Sequence, residues 1–465
     1  MLLNLFSFLT LFIISAFSDR QGHDPFLYVL ILLAICSLPI LFAEETNGKY
    51  SLLVVSCPIL FVFYGINDIL TYFFDIASYW QAPAESVFTG GEIAILLGLS
   101  SWMIGYVLAV RMFSMKKDAA LVLDWNIWSL VWIGFLCLGL GIWATWIFQV
   151  SSSGGKNSLS GSNILALVVL GRMLEPVGSV LLSYTYLKTK RSLFLIIILM
   201  VAVVKLPLGI ILNSKEVGIS FIAIFLVTKW LYDGKIPLRW IAIAVIGITF
   251  YFPISYAYRT TIGLRHIDVS HSLNDVSSLV EKALEENQKT SDSVSGIQSF
   301  ASRVDLKSLM ELIVSRVGHD VSYQNGHTFI ELPYVFLPRF IIDKPAVSTG
   351  QLFNREFHIS ANPDTYISTS FLGELYWNFG WAGVVAGMLV VGYSWGVIGS
   401  RSNLKHNKSV TRLLILVSAI YLFSLRFESG VVQQYIVFIR SAGIILVLHL
   451  LFRSRRPTRD TGSVT

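Results

Sequence analysis

Ten ionisable side chains stand where they can do chemistry. Arg172, Lys205, Arg426 and Arg440 lie inside long apolar runs or at their ends, where a charge needs a partner or a ligand to offset its cost. Arg259, Arg265, Arg316 and Arg339 lie in a polar stretch that also holds His319, and Glu374 follows it. A guanidinium offers a bidentate fork to a phosphate, and an ammonium offers a point charge. The arginines and Lys205 therefore predict a basic cavity for an anionic head group such as a lipid diphosphate. Arg316, His319 and Glu374 are the catalytic candidates. His319, with Asp320 beside it, is the first choice to take a proton, and Glu374 the second. Plainer roles stand beside these. Arg172 and Glu175 are three apart on one helix and can pair with each other. His319 can simply close a helix and meet its dipole.

The absences narrow the chemistry. The chain has no Gly-rich phosphate loop, no HExxH and no His/Cys metal spacing. It has no Ser-centred nucleophile elbow. The long polar stretch holds no DxD-like acidic pair, which argues against a metal-bound nucleotide-sugar donor. Cys36, Cys57 and Cys137 all lie in apolar runs, so no disulfide framework or cysteine metal site is expected.

The elements that must position these residues are membrane spans. Soluble domains carry about 25% charged residues. This chain carries 14%, is 54% hydrophobic and has a mean hydropathy of +0.66. A span needs about 20 apolar residues. The runs that qualify are 2–17, 26–43, 51–74, 88–113, 125–149, 163–188, 192–212, 215–231, 236–256, 366–399, 409–427 and 431–453. The first lacks a basic leader and a small-residue cleavage site, so it reads as a retained span. The run at 366–399 is too long for one upright helix, and its start is expected to lie at or above the interface.

Lys and Arg in the short loops set the orientation. Arg111, Lys116 and Lys117 form one basic loop, Lys188, Lys190 and Arg191 a second, and Lys229, Lys235 and Arg239 a third. Arg401, Lys405, Lys408 and Arg412 form a fourth, and the tail adds Arg453, Arg455, Arg456 and Arg459. All fall on one side if there are 12 spans with both termini in the cytoplasm. The net charge of +6 is thus a topology signal, and nucleic acid is not an expected partner. The expected fold is all-α, a polytopic membrane protein of about 12 transmembrane helices. Its units are an N-terminal bundle of about nine helices (1–256), one large extracytoplasmic loop (257–365), C-terminal spans (366–453) and a basic cytoplasmic tail (454–465).

A loop this long is rarely a mere connector. Two amphipathic helices are expected in it. Ser272–Glu286 places Leu273, Val276, Leu279 and Val280 on one side, and Val294–Val317 repeats the pattern with Leu309, Leu312, Ile313 and Val317. Such helices lie on a membrane surface or over a cavity. Basic and acidic residues nearly balance there, so single Arg and His residues are the ones that could act.

Leu337–Phe340, Asp343–Pro345, Gly350 and the run Gly373-Glu-Leu-Tyr-Trp-Asn-Phe-Gly380, followed by Gly383 and Gly387, sit behind many spans and a late extracytoplasmic loop. The whole resembles the Wzy-type O-antigen or oligosaccharide repeat-unit polymerases. The resemblance implies a metal-independent and cofactor-free glycosyltransferase of bacterial inner membranes, related to the O-antigen ligases. It implies undecaprenyl-diphosphate-linked oligosaccharide as substrate, a periplasmic loop, and room for a chain-length regulator protein as partner. It also implies roles for loop arginines and a histidine, matched in type by Arg259, Arg265, Arg316, His319 and Arg339. In that chemistry a sugar hydroxyl of one lipid-linked repeat attacks the anomeric carbon of the growing chain, and arginines stabilise the departing diphosphate. Two other readings stand beside it: an O-antigen ligase, and a polysaccharide flippase or other transporter. A transporter often carries two similar halves, and no internal repeat is evident here.

Overall fold

The computed structural model describes residues 25–42, 51–74, 88–113, 125–153, 163–211, 215–247, 251, 255, 305–332, 349–360, 362–363, 365–401 and 409–452. The helices in chain order are α1 (Pro25–Phe42), α2 (Ser51–Phe74), α3 (Gly90–Phe113), α4 (Ile127–Ser153), α5 (Asn163–Thr189), α6 (Ser192–Ile211) and α7 (Lys215–Asp233). After them come α8 (Leu238–Gly247), α9 (Leu306–Arg316), a 3-10 turn (His327–Glu331) and α10 (Thr349–Phe357). The chain then runs through α11 (Phe371–Ala382), a π turn (Gly383–Gly387), α12 (Met388–Arg401), α13 (Val410–Ile420), a second π turn (Tyr421–Leu425) and α14 (Val431–Phe452). Among the described residues there is no strand, only an isolated bridge between Val317 and Val321.

Among the described residues, seven helices are long and apolar enough to cross a membrane, and three shorter apolar ones accompany them. The expectation of about 12 spans is thus met only in part. α7 has the length of a span but carries Lys215, Glu216, Lys229 and Asp233. The run at 2–17 and the expected helix at 272–286 lie outside the described residues. Of the second expected amphipathic helix, 294–304 lie outside the described residues; the described part is a helix from Leu306, capped by Asp305, whose side chain accepts the Ser308 N–H at 3.0 Å. It buries Leu306, Leu309, Met310 and Ile313, which are one apolar face at helical spacing. The long run at 366–399 is broken. Gly380 has φ +60°, a conformation open to glycine, and the π turn follows immediately.

The bundle is built inside out. α4 shows why. Trp128, Trp132, Leu136, Leu140 and Trp143 form an exposed apolar stripe, while Gly134 and Gly141 turn inward. Gly134 faces Leu181 and Leu182, Gly141 faces Glu175, and Gly171 of α5 faces Ala144, so α4 and α5 run antiparallel along a small-residue seam. A second seam joins α3 and α12 in parallel: Gly98 faces Val384, Gly105 faces Leu389 and Tyr393, and Gly396 faces Tyr106 and Ala109. A methyl group on Gly392 would meet the Trp102 carbonyl oxygen.

The described residues of the basic loops collect at one end. Lys190 and Lys229 reach Asp233 at 3.8 and 2.6 Å, and Arg401 sits 5.2 Å over the Phe113 ring. The described polar segments pack at the other end. α9 docks against the start of α3, where Gly90 and Gly91 admit Val314 and Glu311, and against α11, where Gly373 admits Ile313. Asn378 fixes the 3-10 segment. Its amide donates to Thr328 Oγ1 at 2.9 Å and accepts from Gly326 N–H at 3.0 Å, and Trp377 packs edge-on against Phe353 and Phe357. The Gly373–Gly380 run therefore ties the polar cap to the bundle.

Candidate functional site

At the end away from the basic loops, α4, α5, α7, α13, the second π turn and α14 leave a cavity of about 270 Å³ between them. Arg172 and Glu175 of α5, Glu216 and Ser220 of α7, Tyr421, Arg426 and Gln433 line it. By helical rise Arg172 lies about 14 Å from the N-terminal end of α5 and about 26 Å from its basic end. Pro176, also on the lining, has no N–H to return to the Arg172 carbonyl, so the α5 ladder lacks one bond at the level of the cavity.

Three cations meet here, and two are matched. Lys205, fully buried behind the wall, pairs with Glu175. It also donates to Ser220 Oγ at 3.0 Å, while Thr145 donates to the other Glu175 oxygen at 3.4 Å. Arg426 places Nε 3.1 Å from Glu216 Oε1, and the Tyr421 hydroxyl donates to that same oxygen at 2.7 Å. Arg172 has no ion pair among the described residues. Its guanidinium carbon lies 4.3 Å over the Phe148 ring, an arrangement that keeps a cation in place without neutralising it. The expected Arg172–Glu175 pair does not form. Helical side chains lean toward the helix N-terminus, which carries Arg172 away from Glu175 to the end of α4 and leaves the carboxylate to Lys205.

Arg172, Lys205 and Arg426 are thus brought together. Arg440 lies on α14, whose cavity-lining residues are Gln433, Val437 and Ser441, and is half-buried elsewhere on that helix. Arg259, Arg265 and Arg339 lie outside the described residues. Glu374 is fully buried in the first turn of α11, where it accepts the Val432 N–H at 3.2 Å and so joins α11 to the start of α14. Arg316 and His319 do not line the cavity. Arg316 donates Nε to Asp320 at 2.7 Å and Nη1 to the Phe357 carbonyl at 2.6 Å, and stacks over the Phe357 ring. This hydrogen bond holds the exposed Asp320 carboxyl below its ordinary range. His319 is exposed, and its main-chain N–H returns to the Arg316 carbonyl at 3.1 Å, the geometry of a helix end.

Glu216 and Tyr421 escape a reading of the sequence. Glu216 follows Lys215 at the head of a run and looks like an ordinary loop charge, and a tyrosine inside an apolar run carries no signal. A second ionic cluster joins α9 to the bundle. Lys307 Nζ lies 2.8 Å from Asp68 Oδ1, 2.8 Å from Glu92 Oε1 and 3.8 Å from Glu311 Oε1, with the Tyr28 ring 5.0 Å away. Burial alone would lower the Lys307 ammonium, but the three carboxylates hold it above its ordinary value. Burial pushes Glu311 up to about 7 despite Lys307 and a 3.0 Å hydrogen bond from Thr89. No family model, curated protein or solved structure matches the chain.

Proposed function

We propose that this chain is a glycosyltransferase that polymerises undecaprenyl-diphosphate-linked oligosaccharide repeat units at the outer face of a bacterial inner membrane. One observation carries the reading. Arg172, Lys205 and Arg426, scattered over 255 positions of sequence, converge on one cavity at the end of the bundle away from the basic loops. Among the residues that line the cavity or back its wall, three cations stand against Glu175 and Glu216, and Arg172 makes no ion pair among the described residues. An excess positive charge in a low-dielectric cavity favours an anion with accessible oxygens, and a diphosphate matches a guanidinium fork. The same charge stabilises the diphosphate as it leaves.

Deletion of the gene in its host, with the surface polysaccharide run on a gel, tests the reading. Collapse of the ladder to core plus a single repeat is the expected result, because export and ligation remain intact. An unchanged ladder overturns it. Loss of every repeat from the core replaces it with a ligase if long lipid-linked polymer accumulates, and with a transporter if none does.

A further inference from the structure

We propose that Glu216 is the group that takes the proton from the attacking hydroxyl, with Tyr421 and Arg426 as the residues that position it. The proposal rests on the glycosyl-transfer reading above. Of the two carboxylates on the cavity wall, Glu175 has both oxygens committed: Oε1 meets Lys205 and Ser220, and Oε2 meets Thr145. Glu216 differs. Arg426 and Tyr421 both hold Oε1, and no hydrogen-bond donor among the described residues reaches Oε2. The carboxylate is therefore fixed in orientation by one oxygen and keeps the other for a visitor. Its side chain is 42% exposed.

The surroundings suit a sugar. Thr145, Ser418, Gln433 and Ser441 supply neutral hydrogen-bonding groups, and Phe148 and Tyr421 supply flat apolar faces. Arg172 lines the same cavity without an ion pair among the described residues. One wall thus offers a carboxylate with a spare oxygen and another offers an unmatched guanidinium, the two charges that glycosyl transfer from a diphosphate asks for. The acceptor oxygen forms its bond to the anomeric carbon. The bond from that carbon to the diphosphate oxygen breaks, and its electron pair leaves on the diphosphate, facing Arg172. The hydroxyl proton passes to Glu216 Oε2 and returns to solvent when product leaves. A carboxylate beside an arginine is a weak base, but in a transition state with oxocarbenium character the hydroxyl becomes acidic as its bond forms, and a weak base serves.

The test uses membranes from the deletion strain carrying the full chain, with the lipid-linked single repeat extracted from that same strain as substrate. Glu216→Gln is expected to insert at wild-type level, to bind the lipid-linked repeat, and to lower turnover by about 10²-fold or more. The acid limb of the wild-type pH–rate profile is expected to vanish from its residual activity. Glu216→Asp is expected to restore part of the turnover with that limb, and Tyr421→Phe to lower turnover while shifting it. Glu216→Gln turning over within about threefold of wild type overturns the proposal. So does a Glu216→Gln loss that is entirely one of binding. If Glu216→Gln does not insert, an unshifted acid limb in both Glu216→Asp and Tyr421→Phe overturns the proposal, and a shifted one supports it. Failure of wild-type membranes to elongate the extracted repeat overturns the glycosyl-transfer reading itself, a result distinct from any of these.

Discussion

The two ionic clusters of this molecule are charge opposites. Around the cavity, Arg172, Lys205 and Arg426 face Glu175 and Glu216. Under α9, the single Lys307 faces Asp68, Glu92 and Glu311. The first has a spare cation and a space beside it. The second has spare carboxylates, and the one cation already fills their centre. A positive excess that opens on a void is an arrangement that waits for an anion from outside. A negative excess wrapped around a lysine can be relieved from within, because a carboxylate can take a proton, whereas a guanidinium cannot shed one in this range. On the function proposed above, the first cluster binds and the second holds the polar cap on the bundle.

The largest effect is expected where the second cluster is broken. Lys307→Met leaves Asp68 and Glu92 buried with no countercharge, and removing one partner of a buried pair costs about 3–5 kcal/mol. Thermal unfolding in detergent micelles and limited proteolysis near α9 should both show it. A variant as stable as wild type would mean that Lys307 does not secure the cap.

A smaller effect follows from Glu311, lifted by burial from its ordinary 4.5 to about 7. Between those values the folded protein keeps a proton that the unfolded chain has released. Stability therefore falls as pH rises through that window and levels off above it, by about 3 kcal/mol. Glu311→Gln, which can still accept from Thr89, should remove this part of the slope. Equal slopes in both proteins would show that burial beside Glu92 and Asp68 does not load a proton onto Glu311.

On the same scale, Arg172→Gln should be almost silent. It loses a cation–ring contact worth about 0.5–1 kcal/mol at an accessible site, so unfolding should barely move while the polysaccharide ladder disappears. A loss of stability as large as that of Lys307→Met would erase the contrast between the clusters and make the cavity charge a structural one.

Much of this was legible in the sequence. Apolar runs give the spans because the bilayer leaves the backbone no partner but itself. Arg172, Lys205, Arg426 and Arg440 stand out as a set because charge is costly in those runs, and the first three of them meet around the cavity. The apolar face of α9 follows from helical spacing. Partner choice was not legible. Glu175 stands three positions from Arg172 yet joins Lys205 on another helix, since the lean of the side chains and the seam at Gly141 decide what meets. The Gly373–Gly380 run carried a family resemblance, but its Glu374, Trp377 and Asn378 are buried ties. No spacing rule tells a tie from a catalytic group.

The second π turn, Tyr421–Leu425, bears on how the gene can vary. A π turn is an α-helix that has accommodated one additional residue. Deleting a single codon there would let the segment wind on as an ordinary helix, with the segments on either side close to the faces they now present. In this stretch an in-frame deletion of one amino acid should therefore be tolerated for insertion into the membrane, whereas the same deletion in a regular helix would turn everything after it by about 100° around the axis.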